Sequence, residues 1–310
     1  GMTAVIWTDV VQMFLYVAGA AVSLVVILHA IPGGWTHVAA LASPAGKFQV
    51  FDFSLAHLTT NTFGFWAGVI GGTFLTTASH GTEQLLVQRL LSARDERQSR
   101  AALFTSWIVI FIQFTLFLVI GVCLWTLAAD ARWKPPAVAD KIYPQFIWDH
   151  LPPGVAGLTI AAILAAAMSN LSAALNALAS TTVMDFLRPL RPQVSEARWL
   201  TLARHATVLW AAVLFGVGLL ARQWGGVLQA GLSIASILYG SLLGVFLLGL
   251  LTRRVGETAA MIAMCVGLVL MLYIKFATPI AWTWYVLIGS SATFATGLAC
   301  SLIFKEEASA

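Results

Sequence analysis

Eight long stretches of this chain contain no Asp, Glu, Lys or Arg: Val10–Gly46, Phe53–Thr82, Ala101–Ala129, Gly154–Met184, His205–Ala221, Gln223–Thr252, Thr258–Ile274 and Phe276–Phe304. About 20 apolar residues cross a bilayer as a helix. In lipid, every backbone N–H and C=O must be satisfied within its own segment, so stretches of this kind are helices. The sequence therefore predicts an all-α, polytopic membrane protein. Its residues are 59% hydrophobic and only 10% charged, where a soluble domain carries roughly 25% charge. The net charge of +4 does not point to nucleic acid, because the basic residues fall in short loops between the apolar stretches.

Eight spans are expected within a single transmembrane domain covering 1–310: 8–31, 60–91, 101–129, 154–186, 199–221, 225–252, 258–276 and 281–304. The second is too long for one straight crossing, and its polar, Gly-rich middle predicts a break near 76–82. The Pro32-Gly33-Gly34 turn opens a loop to about Thr59, and a wet loop runs from Asp130 to Pro153. With an even number of spans both termini share one side. On that side the loops hold Arg89, Arg94, Arg97, Arg100, Arg188, Arg191, Arg198, Arg204, Arg253, Arg254 and Lys305, eleven cations against six (Lys47, Arg132, Lys134, Lys141, Arg222 and Lys275) on the other. Arg and Lys bias sets orientation, so both termini are expected in the cytoplasm, with a bacterial inner (plasma) membrane as the setting. Trp7, Trp35, Trp133, Trp148, Trp199, Trp224 and Trp282 fall near the expected membrane surfaces, as an aromatic belt does. Cys123, Cys265 and Cys300 lack metal-ligand spacing and read as small buried hydrophobes.

Three places could carry chemistry. The run from Ala165 to Ser180 is built of small residues, so a neighbouring backbone can approach closely. In it Ser169, Ser172, Asn176 and Ser180 stand at offsets of three and four, along one helical face. Ala166, Ser169 and Asn170 are neighbours by the same rule. Two readings stay open: these groups hydrogen-bond across to another helix and do no more, or they supply the several oxygens that a hard alkali cation requires. The middle of the second span, Gly71 to Gln84, is rich in Gly, Thr and Ser, which weakens a helix. Discontinuous helices near the midplane free backbone groups for solutes and ions, and ionisable residues at depth default to function. His80 and Glu83 lie there, beside Ser79. The plainer alternatives are a packed neutral imidazole for His80 and a pair with an arginine such as Arg89 for Glu83. Asp9, at the mouth of the first span, reads either as a helix cap or as a carboxylate that draws cations. The sequence offers no phosphate-binding Gly loop, zinc spacing or Ser-His-Asp arrangement, and no enzyme is expected.

At these residues the chain resembles the sodium:solute symporter family, which includes sodium-coupled sugar, proline, iodide and monocarboxylate carriers. Ala4 to Gln12, with Trp7-Thr8-Asp9 at its centre, resembles the start of the family's fifth core helix. Gly81-Thr82-Glu83-Gln84 with Val87-Gln88-Arg89 resembles its Gly-Thr-Asp-Gln and Val-Gln-Arg signature. Ala166 to Asp185 resembles its eighth core helix, and Ser233 to Arg254 its tenth. The resemblance implies an inverted five-plus-five helix repeat (a leucine-transporter-like fold) of which this chain holds the C-terminal part. The first core helices would then be missing, and Gly1 would mark a cut rather than a native start.

The resemblance also implies site residues. The Ala166 carbonyl and the side chains of Ser169 and Asn170 would form a partial sodium site, its other half lying in the missing N-terminal helices. Ser79, His80 and Glu83 would line the substrate cavity, and Asp9 would sit near the inner cation exit. The family often pairs two serines where this chain has Ser169-Asn170, and usually has Asp or Asn where this chain has Glu83. Neither Ser79 nor His80 supplies the stacking aromatic of the sugar carriers, which argues against a sugar. The expected function is sodium-coupled symport of a small polar solute by alternating access. Its partners are the sodium ion as co-substrate, with no other cofactor, a small-molecule solute and the lipid bilayer. The alternatives are a proton-coupled or uncoupled solute carrier, with His80 or Glu83 titrating, and a transporter-like membrane sensor domain, which a long soluble domain after the last span would reveal. A chain that natively began at Gly1 would form no full cation site and is expected not to transport.

Overall fold

The computed structural model describes residues 2–91, 93–190, 195–221, 226–252 and 255–304. Arg191, Arg222, Trp224, Arg253, Arg254 and Lys305 of the charge and tryptophan patterns lie outside them, as does the side chain of Arg89. Among the described residues every regular element is helical: α1 (Met2–Ala30), α2 (Gly34–Ala42), a π-helical segment (Ala67–Gly71) leading into α3 (Gly72–Thr82), α4 (Gln84–Leu91), α5 (Glu96–Ala129), α6 (Ile142–His150), α7 (Pro153–Thr181), a second π segment (Thr182–Leu187), the single turn α8 (Arg188–Leu190), α9 (Glu196–Ala221), α10 (Val227–Leu251), α11 (Glu257–Ala277) and α12 (Tyr285–Ile303). Among the described residues seven helices are long and apolar enough to cross a membrane: Ile6–Ala30, Glu96–Ala129, Pro153–Leu190, Ala197–Ala221, Val227–Leu251, Glu257–Ala277 and Trp282–Ile303. Phe104, Trp107, Phe111, Phe114 and Leu118 all stand exposed along α5, a surface suited to hydrocarbon and not to water. The chain is an integral membrane protein.

The expected second span, 60–91, is not one of the seven. Its helix begins only at Phe65, and it runs unbroken through 76–82, where the break was expected; the interruption falls at Glu83, whose backbone is extended (φ −80°, ψ 113°). The polar residues do not open the helix because their hydroxyls fold back onto it. Thr73 donates to the Val69 carbonyl (2.5 Å), Ser79 to Thr76 (3.2 Å) and Thr82 to Ala78 (2.7 Å). The loop after Pro32 contains α2. The third span starts earlier than expected because Asp95 Oδ1 accepts from the Gln98 N–H (2.7 Å), an N-cap that carries α5 into its charged first turn. Of the cysteines only Cys123 is buried. Cys265 is exposed and Cys300 half-buried, on helix faces turned away from the packed core.

The residues cluster into two compact units. One comprises residues up to Phe48 and from Ile108 to Gly226. Its core packs Ile27 of α1, Ile31 just after it and Val38 of α2 against Ile120, Cys123, Leu124 and Leu127 of α5, with Phe146 and Ile147 of α6. Gly19 lets α1 approach α7: a Cβ there would lie 2.3 Å from Thr159 Oγ1. The tie to α6 is polar. Tyr143 donates to Ser23 Oγ (3.1 Å), which donates to the Gly19 carbonyl (2.8 Å), and burial pushes the Tyr143 phenol above its ordinary pKa, which keeps the donor protonated. Beyond α5 the chain turns through Ala131 in the left-handed region (φ 56°). There Asp130 meets His37 Nε2 through both carboxylate oxygens (3.1 and 3.0 Å), and Lys47 Nζ lies 4.9 Å from the Trp125 ring centre.

The other unit comprises residues 49–107 and those from Val227 onward. Small residues let its helices touch backbone to backbone. A Cβ on Gly240 would lie 3.1 Å from the Gly289 Cα, and one on Gly267 only 1.9 Å from Thr293 Oγ1, so α10, α11 and α12 meet at Gly, Ser and Thr. The segment before α3 is bound to the start of α12: Ala281 N–H donates to the Thr59 carbonyl (2.7 Å), and Trp284 Nε1 to that of Leu58 (2.9 Å). Lys275, at the end of α11, donates to Ser233 Oγ (3.0 Å).

Candidate functional site

The expected site residues fall into two groups, one in each unit. In the first, α1 presents Asp9 and α7 presents Ser169, both half-buried, and Ser169 Oγ donates to Asp9 Oδ1 (3.1 Å). The sequence assigned these two residues separate roles; the fold brings them together across 160 positions. One turn before Asn170, the Ala166 carbonyl accepts from Asn170 Nδ2 (3.1 Å). This turns the amide nitrogen to the helix and the amide oxygen, the cation-binding end, the other way. Asn170 itself is exposed, as are Ser172, Asn176 and Ser180 on the face the sequence marked out. A carboxylate, a hydroxyl, a carbonyl and an amide oxygen are all hard oxygen donors. Of these, the Asp9 and Ser169 oxygens already meet between two helices.

In the second group, Ser79 and His80 close a small network at the end of α3. His80 Nδ1 lies 3.1 Å from the Thr76 carbonyl and 3.0 Å from Ser79 Oγ. A carbonyl only accepts, so that contact places a hydrogen on Nδ1. Glu83, half-buried at the junction of α3 and α4, accepts a hydrogen bond from the Tyr239 hydroxyl of α10. Sequence reasoning missed Tyr239. Its signal was present all the same: a phenol inside a charge-free span has a polar end that needs a partner when buried.

The helices define the class first: an α-helical, polytopic membrane protein. The family follows from comparison with known proteins. A model of the sodium:solute symporter family matches residues 1–267, and the chain belongs to that family. Sodium-coupled monocarboxylate transporter 1 of Homo sapiens is 30% identical over 285 residues, 90% of this chain and 46% of that protein. The sodium-dependent multivitamin transporter of Oryctolagus cuniculus is 29% identical over 279 residues, 88% of this chain and 43% of that protein. Among solved structures, a Na+-coupled sialic acid symporter in its substrate-bound outward-open state is similar with a TM-score of 0.77 and 25% identity, over 98% of this chain and 63% of that one. The chain thus spans about half the length of the curated relatives it matches.

Proposed function

We propose that the protein to which this chain belongs carries out sodium-coupled symport of a small polar solute by alternating access. The observation that carries this reading, beyond family membership, is the Ser169–Asp9 contact between α7 and α1. A membrane-embedded carboxylate is costly and persists for a function. Sodium, a hard cation, takes oxygen ligands, and here a carboxylate and a hydroxyl converge from two helices. Ala166 and Asn170 would supply the neighbouring carbonyl and amide oxygens. Ser79, His80 and Glu83 line the solute cavity in this reading: His80 offers its ring Nε2 and Glu83 a carboxylate, next to a helix interruption of the kind that carriers use for binding. The chain forms the later part of an inverted five-plus-five helix repeat, joined to earlier helices of the same protein. In this reading both termini face the cytoplasm of a bacterial inner membrane, with α3 and α4 on either side of Glu83 counted together as one crossing; the cation bias of eleven to six supports that orientation.

The test is uptake into proteoliposomes with and without an inward sodium gradient. Monocarboxylates and sialic acid are the first solutes to try, because relatives carry those names. Uptake several-fold faster with the gradient is expected. Equal rates in both conditions would remove sodium coupling, and uptake driven by a pH gradient alone would favour the proton-coupled alternative at His80 or Glu83.

A further inference from the structure

We infer that Tyr239 is a positioning residue: its hydroxyl latches Glu83, the single-residue hinge between α3 and α4, to α10. This rests on the transport reading for its purpose, but its geometry stands by itself. Glu83 ends one helix and starts the next. Its extended backbone (φ −80°, ψ 113°) follows the last residue of α3, and its carbonyl accepts the first bond of α4, from the Val87 N–H (3.0 Å). One residue therefore sets the angle between two helices, and extended φ/ψ at a helix-starting position is the ordinary N-cap geometry. The Glu83 side chain is held from outside the helix pair: its Oε2 accepts the hydrogen of the Tyr239 hydroxyl.

The rest of Tyr239 is anchored. Its ring packs with Phe74 and Leu75 of α3 against a buried cluster of Ala78, Leu243 and Val286. Thus α3 and α10 form one packed body up to the hinge, and the phenol reaches past that body to hold the hinge itself. With the hydrogen bond made, α4 is tied to the α3–α10 body. With it broken, α4 turns about Glu83 while the packed ring stays in place. A carrier that works by alternating access needs an element that moves on a fixed body, and Glu83 with α4 fits that requirement.

Hydrogen–deuterium exchange of the purified protein tests the latch without any need for transport. Tyr239→Phe keeps the ring and removes the donor. Amide exchange across residues 84–91 is expected to rise roughly tenfold, the effect of losing a hydrogen bond to a charged group, while exchange in α10 stays unchanged. Glu83→Ala should give the same rise, and the double variant no more than either single one. Glu83→Gln keeps an acceptor oxygen, so it should retain slow exchange even where uptake is lost, which separates the latch from the carboxylate's role toward solute. Wild-type exchange in Tyr239→Phe, or independent and additive rises in the two single variants, would overturn the latch whether or not the protein transports.

Discussion

Replacing Asp9 by Asn is expected to raise the sodium concentration for half-maximal uptake by roughly 10-fold or more. An interaction with a charged group is worth roughly 1.5–3 kcal/mol, and every 1.4 kcal/mol is about tenfold in binding. The Asn side chain keeps the shape and an acceptor for the Ser169 hydroxyl, so the α1–α7 contact survives and only the charge is lost. Ser169→Ala removes a neutral ligand and should have the smaller effect. Sodium titrations of uptake at saturating solute read both. Asp9 lies inside α1 (Met2–Ala30) and not at its start, so the cap reading of the sequence falls away; if Asp9 only held the Ser169 hydroxyl, Asp9→Asn would leave the sodium dependence where it was, because Asn keeps an acceptor for that hydroxyl.

Gly71→Ala is expected to destabilise the protein by roughly 1–3 kcal/mol, the usual cost of overpacking. A Cβ at Gly71 would lie 2.3 Å from the backbone oxygen of Thr283 and 2.9 Å from its carbonyl carbon. A backbone cannot rotate away as a side chain can, and the Thr283 segment is itself held at Ala281 and Trp284 by bonds to Thr59 and Leu58. Gly72→Ala is the control: nothing lies within 4 Å of its Cβ position. There the change should be neutral or stabilising by about 0.5–1 kcal/mol, the helix-propensity gain of Ala over Gly. Thermal unfolding of both variants in detergent compares them. Equal losses would mean that the close approach at Gly71 contributes nothing to stability.

The helices were legible in the sequence because lipid leaves a backbone no alternative, and charge-free runs mark them directly. The position of the break in 60–91 was not. Clustered Thr, Ser and Gly announce a weak helix, but Thr73, Ser79 and Thr82 each return a hydroxyl to their own helix, which keeps it wound to Thr82. The break falls at the acidic residue just beyond. Pairings between distant residues were equally hidden. Asp9 and Ser169 were each marked as candidates, yet nothing in their spacing joins residues 160 positions apart. Tyr239 was passed over because a tyrosine in an apolar run reads as core, and only the packing of α10 on α3 aims its hydroxyl at Glu83.

The most direct test of the central claim, that Asp9 and Ser169 hold sodium, is equilibrium binding of radioactive sodium to the purified protein in lipid nanodiscs. Saturable binding that excess potassium does not displace is expected, with its loss or marked weakening in Asp9→Asn and, to a lesser degree, in Ser169→Ala. Binding that fails to saturate, or that is the same in all three proteins, would contradict it.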